Sequence, residues 1–173
     1  FDNKYLLSLS GRVDGSSRFG KDNQYGFFPA ASAGWVLSEE NFLSSSKTIS
    51  FLKLRASYGI SGSDDGFGDF GSLGLWGASK YNNVSGLVPT QLPNPGLKWE
   101  RSEQTDIGLD FGLFNNRLSG EIDYYVRNTR DLIYSVPVPG TSGYTTQLTN
   151  VGSMQNKGFE FVLNSVNISS RDF

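Results

Sequence analysis

The stretch that most constrains the fold runs from Trp99 to Arg127, WERSEQTDIGLDFGLFNNRLSGEIDYYVR. It reads as two long strands joined by a tight turn. In the first, Thr105, Ile107, Leu109, Phe111 and Leu113 point one way; Gln104, Asp106, Gly108, Asp110 and Gly112 point the other. The turn is Phe114-Asn115-Asn116-Arg117, where Asn tolerates the left-handed geometry that hairpin turns need. In the second, Leu118, Gly120, Ile122, Tyr124 and Val126 alternate with Ser119, Glu121, Asp123, Tyr125 and Arg127. Side chains alternate between the two faces of a strand, so period-two patterning held this long predicts strand.

Length and face chemistry narrow the choice. Strands in soluble sheets mostly run about five or six residues. These run to roughly ten, enough to cross a bilayer at a tilt. One face is almost wholly apolar and the other carries carboxylates, Arg, Ser and Gly. A soluble sheet with one wet face also alternates, so the decision rests on length, charge and repetition together.

The pattern recurs along the chain. Lys4 to Val13 sets Tyr5, Leu7, Leu9, Gly11 and Val13 against Ser8, Ser10 and Arg12. Phe27 to Leu37 sets Ala31, Ala33, Trp35 and Leu37 against Ser32 and Gly34, with Pro29 expected near a strand start or bulge. Leu52 to Ile60 sets Leu54, Ala56 and Tyr58 against Lys53, Arg55 and Ser57. Lys157 to Asn164 sets Phe159, Phe161 and Leu163 against Gly158, Glu160 and Asn164. Between strands, SEENFLSS reads as one helical turn with Ser38 as N-cap. Residues 14–26, 61–96 and 128–156 read as larger loops, with room for a short hairpin in 128–149. Short turns on one rim and long loops on the other fit an outer-membrane barrel. Trp35, Trp99, Tyr58 and Tyr124 are then expected near the membrane interfaces.

The expected fold is all-β: an antiparallel up-and-down transmembrane β-barrel wall of about six long strands. Six strands cannot close around a wet lumen, and a sandwich would bury Asp106, Asp110, Glu121, Asp123 and Arg127. The chain, residues 1–173, is therefore expected to be one segment of a larger wall, both of its ends reading as cuts. The competing reading is a secreted, soluble β-sandwich that binds carbohydrate through Trp76 and Tyr81.

Composition removes several functions. There is no Cys and no His, which takes away disulfides, thiol nucleophiles, zinc sites and the usual general base. A net charge of −2 does not suit a nucleic-acid partner. No apolar run is long enough for a membrane helix, a scan that barrel strands escape. GFGDFG at 66–71 fits G-x-G-x-x-G, but no helix is expected after it, so it reads as loop rather than dinucleotide site. Glu121 and Asp123 have a glycosidase-like spacing that any strand with acids at i and i+2 would give; they read as lumen wall. Asp64, Asp65 and Asp69 could gather around Ca²⁺ but lack the EF-hand pattern. No catalytic residue, metal or cofactor is expected.

The stretches RVDGSSRFG, YGFFPAASAGW, SEENF, LKLRASYGISG, NPGLKWERSEQTDIGLDFGLFNNRLSGEIDYY, NTRDLI and NVGSMQNKGFEF stand in this order over nearly the whole chain. Together they resemble the SusC/RagA-like TonB-dependent outer-membrane transporters of Bacteroidetes. The closing SRDF looks like the start of that family's next strand. The resemblance implies a late part of a large plugged barrel in the outer membrane, with plug domain and remaining strands absent here. It implies no enzyme, but an active importer of oligosaccharides or peptides. The implied partners are the plug and other barrel strands, a SusD-like surface lipoprotein, the TonB complex acting through the plug, and lipid. Trp76, Tyr81 and Tyr144, in the outer loops, are the candidate substrate contacts, with plain loop packing as the alternative. Arg12, Arg55, Asp106, Asp110, Glu121, Asp123, Arg127 and Glu160 are the expected lumen-facing polar residues, pairing with one another and with a plug.

Overall fold

The computed structural model describes residues 1–168. The chain forms β1 (Tyr5–Gly15), β2 (Tyr25–Val36), β3 (Ile49–Ser63), β4 (Leu75–Tyr81), β5 (Val84–Gln91), β6 (Glu100–Leu113), β7 (Leu118–Arg130), β8 (Ile133–Pro137), β9 (Thr146–Asn150) and β10 (Ser153–Ser165). Six of these make one antiparallel sheet in the order β1-β2-β3-β6-β7-β10, so consecutive long strands are always neighbours. The other four make two hairpins, β4-β5 and β8-β9, inside the long loops. SRDF begins beyond the described residues.

The sheet is a single layer. Register carries one outer row across all six strands: Tyr5, Trp35, Leu54, Leu109, Ile122 and Phe161. The next is Leu7, Ala33, Ala56, Ile107, Tyr124 and Phe159. These residues are exposed or half-buried, and among the described residues no second sheet covers them. That overturns the sandwich, which needs both apolar faces turned inward on each other. The opposite face carries Ser8, Ser32, Ser57, Asp106, Tyr125 and Gly158 in one row, and Leu6, Gly34, Arg55, Gly108, Asp123 and Glu160 in the next. Leu6 belongs to this polar face, so its polarity is not complete.

The six strands of the large sheet run from 11 to 15 residues, at or beyond the roughly 9–11 that a tilted barrel strand needs to cross hydrocarbon. The excess stands above the apolar rows, where Glu103 and Arg130 pair at 3.8 Å. At the opposite end β2 stops at Val36, opposite Lys53, four residues along from the start of β3 at Ile49. Such stagger accompanies strand tilt in a barrel wall. Among the described residues β1 bonds only to β2 and β10 only to β7, leaving both edges open.

The β6-β7 turn is as tight as expected, with Phe114, Asn115 and Asn116 all left-handed at φ 53, 57 and 60. The hairpin expected within 128–149 is β8-β9. The β4-β5 hairpin stands where unbroken loop was expected; its turn, Asn82-Asn83, uses the same left-handed Asn geometry. Ser38 is not an N-cap. A 3-10 turn spans Leu37–Glu39, with Val36 at the capping position and no side-chain capping bond. The physical reason lies in Glu40, whose three bonds to Lys4, Tyr5 and Trp35 fold the connection back under β1 and β2.

Candidate functional site

Two assemblies carry the polar chemistry: a charged wall on the inner face, and a knot of loops at one end of the sheet. The wall is centred on Arg55. Its Nε donates to Asp110 at 2.8 Å and one terminal nitrogen donates to Asp123 at 2.7 Å, with Glu121 at 3.5 Å. Lys53 reaches the other oxygen of Asp110 at 3.6 Å. Arg55 and Asp123 lie on β3 and β7 with Gly108 of β6 between them in the same row. A side chain at Gly108 would occupy the place of the bridge itself, since a Cβ there would sit 2.7 Å from the Arg55 guanidinium carbon. Glycine at this point is therefore what lets the ion pair cross a strand.

One row further toward the loops, Arg127 donates to Gln104 at 2.7 Å, Gln104 donates to Asp106 at 2.8 Å, and Ser57 donates to Asp106 at 3.2 Å. Arg12 pairs with Asp14 at 2.8 Å and lies 5.9 Å from the Phe28 ring centre. Glu160 borders the same polar hollow as Glu121, Asp123 and Arg127, a depression of about 530 Å³. All eight polar residues named from sequence stand by register on the polar face of the sheet, opposite the apolar rows. Gln104 and Ser57 complete the second chain of bonds and were not singled out from sequence. The i+2 spacing of Gln104 and Asp106 was a usable signal; the Ser57 contact depends on register alone.

The loop knot is the buried core of the chain. Phe19 and Leu97 are fully buried, with Phe28 and Trp99 against them and Ile60, Phe67, Ile133 and Leu148 packed around. Phe19 lies 4.9 Å from Trp99 and 5.5 Å from Phe67, ring centre to ring centre. Trp99 therefore corrects an expectation: it is buried among loops, its indole N–H donating to Gln24, and meets no lipid interface. Trp35 does lie on the outer face near the short-turn rim, stacked on Tyr5 at 6.3 Å.

Polar bonds draw all three long loops into this knot. Arg18 donates to the Asp64 carbonyl at 2.8 Å and to Asp69 at 3.2 Å, while Ser16 donates to the Asp64 carboxylate. Those acids hold an arginine, and no metal-binding cluster occurs among the described residues. Asn94 donates to Leu148, and Asn150 exchanges bonds with Lys98.

Of the expected substrate contacts, Trp76 and Tyr81 stand exposed on the β4-β5 hairpin and Tyr144 is half-buried in the turn between β8 and β9. They make no ring-to-ring pair with one another. The 66–71 glycine motif is irregular and places Phe67 against Phe19, with no helix after it.

Among the described residues the arrangement consists of long paired strands, ion pairs on one face and packed loops. What it resembles is a wall: apolar rows outside, ion pairs inside, loops gathered at one end. The comparisons agree. A family model described as TonB dependent receptor-like, beta-barrel, matches residues 1–170. TonB-dependent receptor P3 of Formosa agariphila is 43% identical over all of this chain, which covers 18% of that relative. TonB-dependent receptor SusC of Bacteroides thetaiotaomicron is 42% identical over 99% of this chain and 18% of its own length. The solved RagAB peptide importer, in its closed-closed state, superposes with a TM-score of 0.90 at 36% identity, covering 99% of this chain and 19% of that one. The chain spans about a fifth of the length of the relatives it matches. With its six-stranded wall and a family match running from residue 1 to residue 170, the chain belongs to the TonB-dependent receptors, as a SusC/RagA-like part of their outer-membrane β-barrel.

Proposed function

We propose that this chain is one stretch of the wall of an active outer-membrane importer, completed by a plug domain and further strands of the same protein. The protein sits in the outer membrane of a Bacteroidetes-like Gram-negative cell, draws energy through TonB, and works under a SusD-like surface lipoprotein. Its cargo is oligosaccharide or peptide. Matches to SusC and to RagAB support this reading. The observation that carries it is the row Leu7, Ala33, Ala56, Ile107, Tyr124 and Phe159, which crosses all six strands without a charge, one residue away from the row holding Asp106. Lipid on one side and water on the other suit both rows at once.

Side-chain environment tests this in the whole transporter. The chain has no native cysteine, so spin labels can be introduced at Ile107→Cys and Ser57→Cys. In outer-membrane vesicles the label at 107 should be relaxed by lipid-dissolved oxygen and shielded from a water-soluble nickel complex. The label at 57 should show the reverse preference. Equal nickel access at both positions would end the wall assignment. Uptake of labelled oligosaccharide and labelled peptide by cells carrying the transporter then separates the two cargo classes.

A further inference from the structure

A crevice of about 250 Å³ lies among the loops, outside the charged wall and apart from Trp76, Tyr81 and Tyr144. Phe67 and Leu148 supply its apolar lining; Thr90, Gln91, Ser135 and Thr146 supply its polar groups. Among the described residues, no charged side chain lines it. We propose that this crevice is a subsite for a neutral sugar ring, one unit of a longer oligosaccharide. The proposal rests on the importer reading and deepens it by choosing between cargo classes.

Three observations carry it. The first is chemical. A sugar ring offers C–H patches and hydroxyls, which match apolar side chains flanked by hydroxyl and amide groups. A charged group, whether a uronate or an ionised peptide side chain, would lose water there and find no counter-charge among these residues. The inner wall, by contrast, is densely ionic, so the neutrality of the crevice is a local property.

The second is availability. Gln91 uses its amide N–H groups on the carbonyls of Phe70, Gly71 and Leu73, at 2.8, 3.2 and 2.7 Å. That fixes the side chain and leaves its Oε1 open to a hydroxyl. The hydroxyls of Thr90, Ser135 and Thr146 take no part in the bonds that tie the loops together.

The third is rigidity. One wall is the root of the β4-β5 hairpin, held by Gln91. Another is β8-β9, where Ser135 pairs opposite Leu148 and Thr146 opposite Pro137. The lining at Phe67 is braced by Phe19. A site whose walls are already placed loses less ordering entropy on binding. The volume lies below the roughly 300–1,000 Å³ typical of sites that enclose a whole drug-sized ligand, which suits one ring of a chain that continues outward.

The test uses the full transporter with its surface lipoprotein. Binding is measured to maltoheptaose, cellohexaose and mannohexaose as neutral probes, to a uronate hexasaccharide, and to a mixed-charge decapeptide. Two kinds of variant are compared: Ser135→Trp, which fills the crevice, and Thr146→Val, which removes one hydroxyl and keeps the shape. The expected result is binding of at least one neutral probe, weakened about tenfold or more by S135W and about three- to tenfold by T146V. T146V retains the packing and so keeps the test informative if S135W disturbs the hairpin. Neutral binding unchanged in both variants overturns the subsite and leaves the importer standing. Binding of only the uronate or the peptide does the same. Failure of every probe to bind or enter the cell overturns subsite and importer together.

Discussion

Removing Arg55 should expose how much the inner wall depends on one guanidinium. Arg55 is about one-third exposed at 34%, whereas its two close partners Asp110 and Asp123 are at 19% and 18%. A fully buried pair that loses one partner costs about 3–5 kcal/mol, and an exposed pair about 0.2–1 kcal/mol. Arg55 stands between these limits, which places Arg55→Met at about 1.5–3 kcal/mol after allowance for solvent screening. Asp123→Asn should cost less, because Arg55 keeps Asp110 and Glu121. A double-mutant cycle on R55M and D123N, read by urea unfolding of the whole transporter from lipid vesicles, should give a coupling of about 1–2 kcal/mol. Gly108→Ala supplies an independent check. Its Cβ would fall 2.8 Å from Arg55 Nε and so displace the bridge. It should destabilise the native chain, and part of that cost should remain once Arg55 is Met, because the added Cβ also presses on the Asp123 carboxylate. A coupling below about 0.3 kcal/mol, or a D123N cost above that of R55M, would refute the claim that this bridge holds β3 to β7 across β6.

Three further outcomes are expected. Ile107→Arg, on the outer row, should cost about 2–4 kcal/mol of insertion stability, while Ser57→Arg on the inner row should cost far less; comparing folded fractions in vesicles checks the sidedness. Phe19→Ala should empty the centre of the loop knot at a local cost of about 3–5 kcal/mol; hydrogen exchange should quicken in 16–24, 64–99 and 131–152 and stay slow in the strands. Glu40 accepts from Tyr5 first, then Trp35, then Lys4, and these bonds hold its carboxyl below the usual carboxylate range. Its folded-state pKa is lowered, so its contribution is present above the ordinary carboxylate pKa and is lost as pH falls through the depressed value. Melting followed from neutral pH downward should show an acid-side loss that Glu40→Gln removes.

The wall was legible because alternation is written residue by residue. Each long strand was found from its own pattern, and register then turned six separate patterns into shared rows. The ends were shorter in expectation than in fact: β3 reaches Ser63 because Ser61, Gly62 and Ser63 go on pairing with Ser102, Arg101 and Glu100, although no apolar row marks them. The β4-β5 hairpin was hidden by Gly77, Gly86 and Pro89, which weaken the strand signal even though Asn82-Asn83 announces a turn. The loop knot was not legible. Phe19, Phe67, Leu97 and Trp99 are isolated apolar residues in polar surroundings, with no period to expose their common destination. Trp99 was misplaced for that reason. The acids and bases that share the polar face were readable from alternation, but their pairing was not, because which acid Arg55 meets depends on the position of two other strands.

The knot also bears on how such a chain can change. Phe19, Leu97 and Leu148 come from three separate connections yet share a single buried contact set. Lengthening or reshaping any one of them would disturb the seating of the other two. The β4-β5 tip, with Tyr81 89% exposed, carries no such obligation. Diversification should therefore concentrate at that tip, while the three connections should be inherited and exchanged as a set.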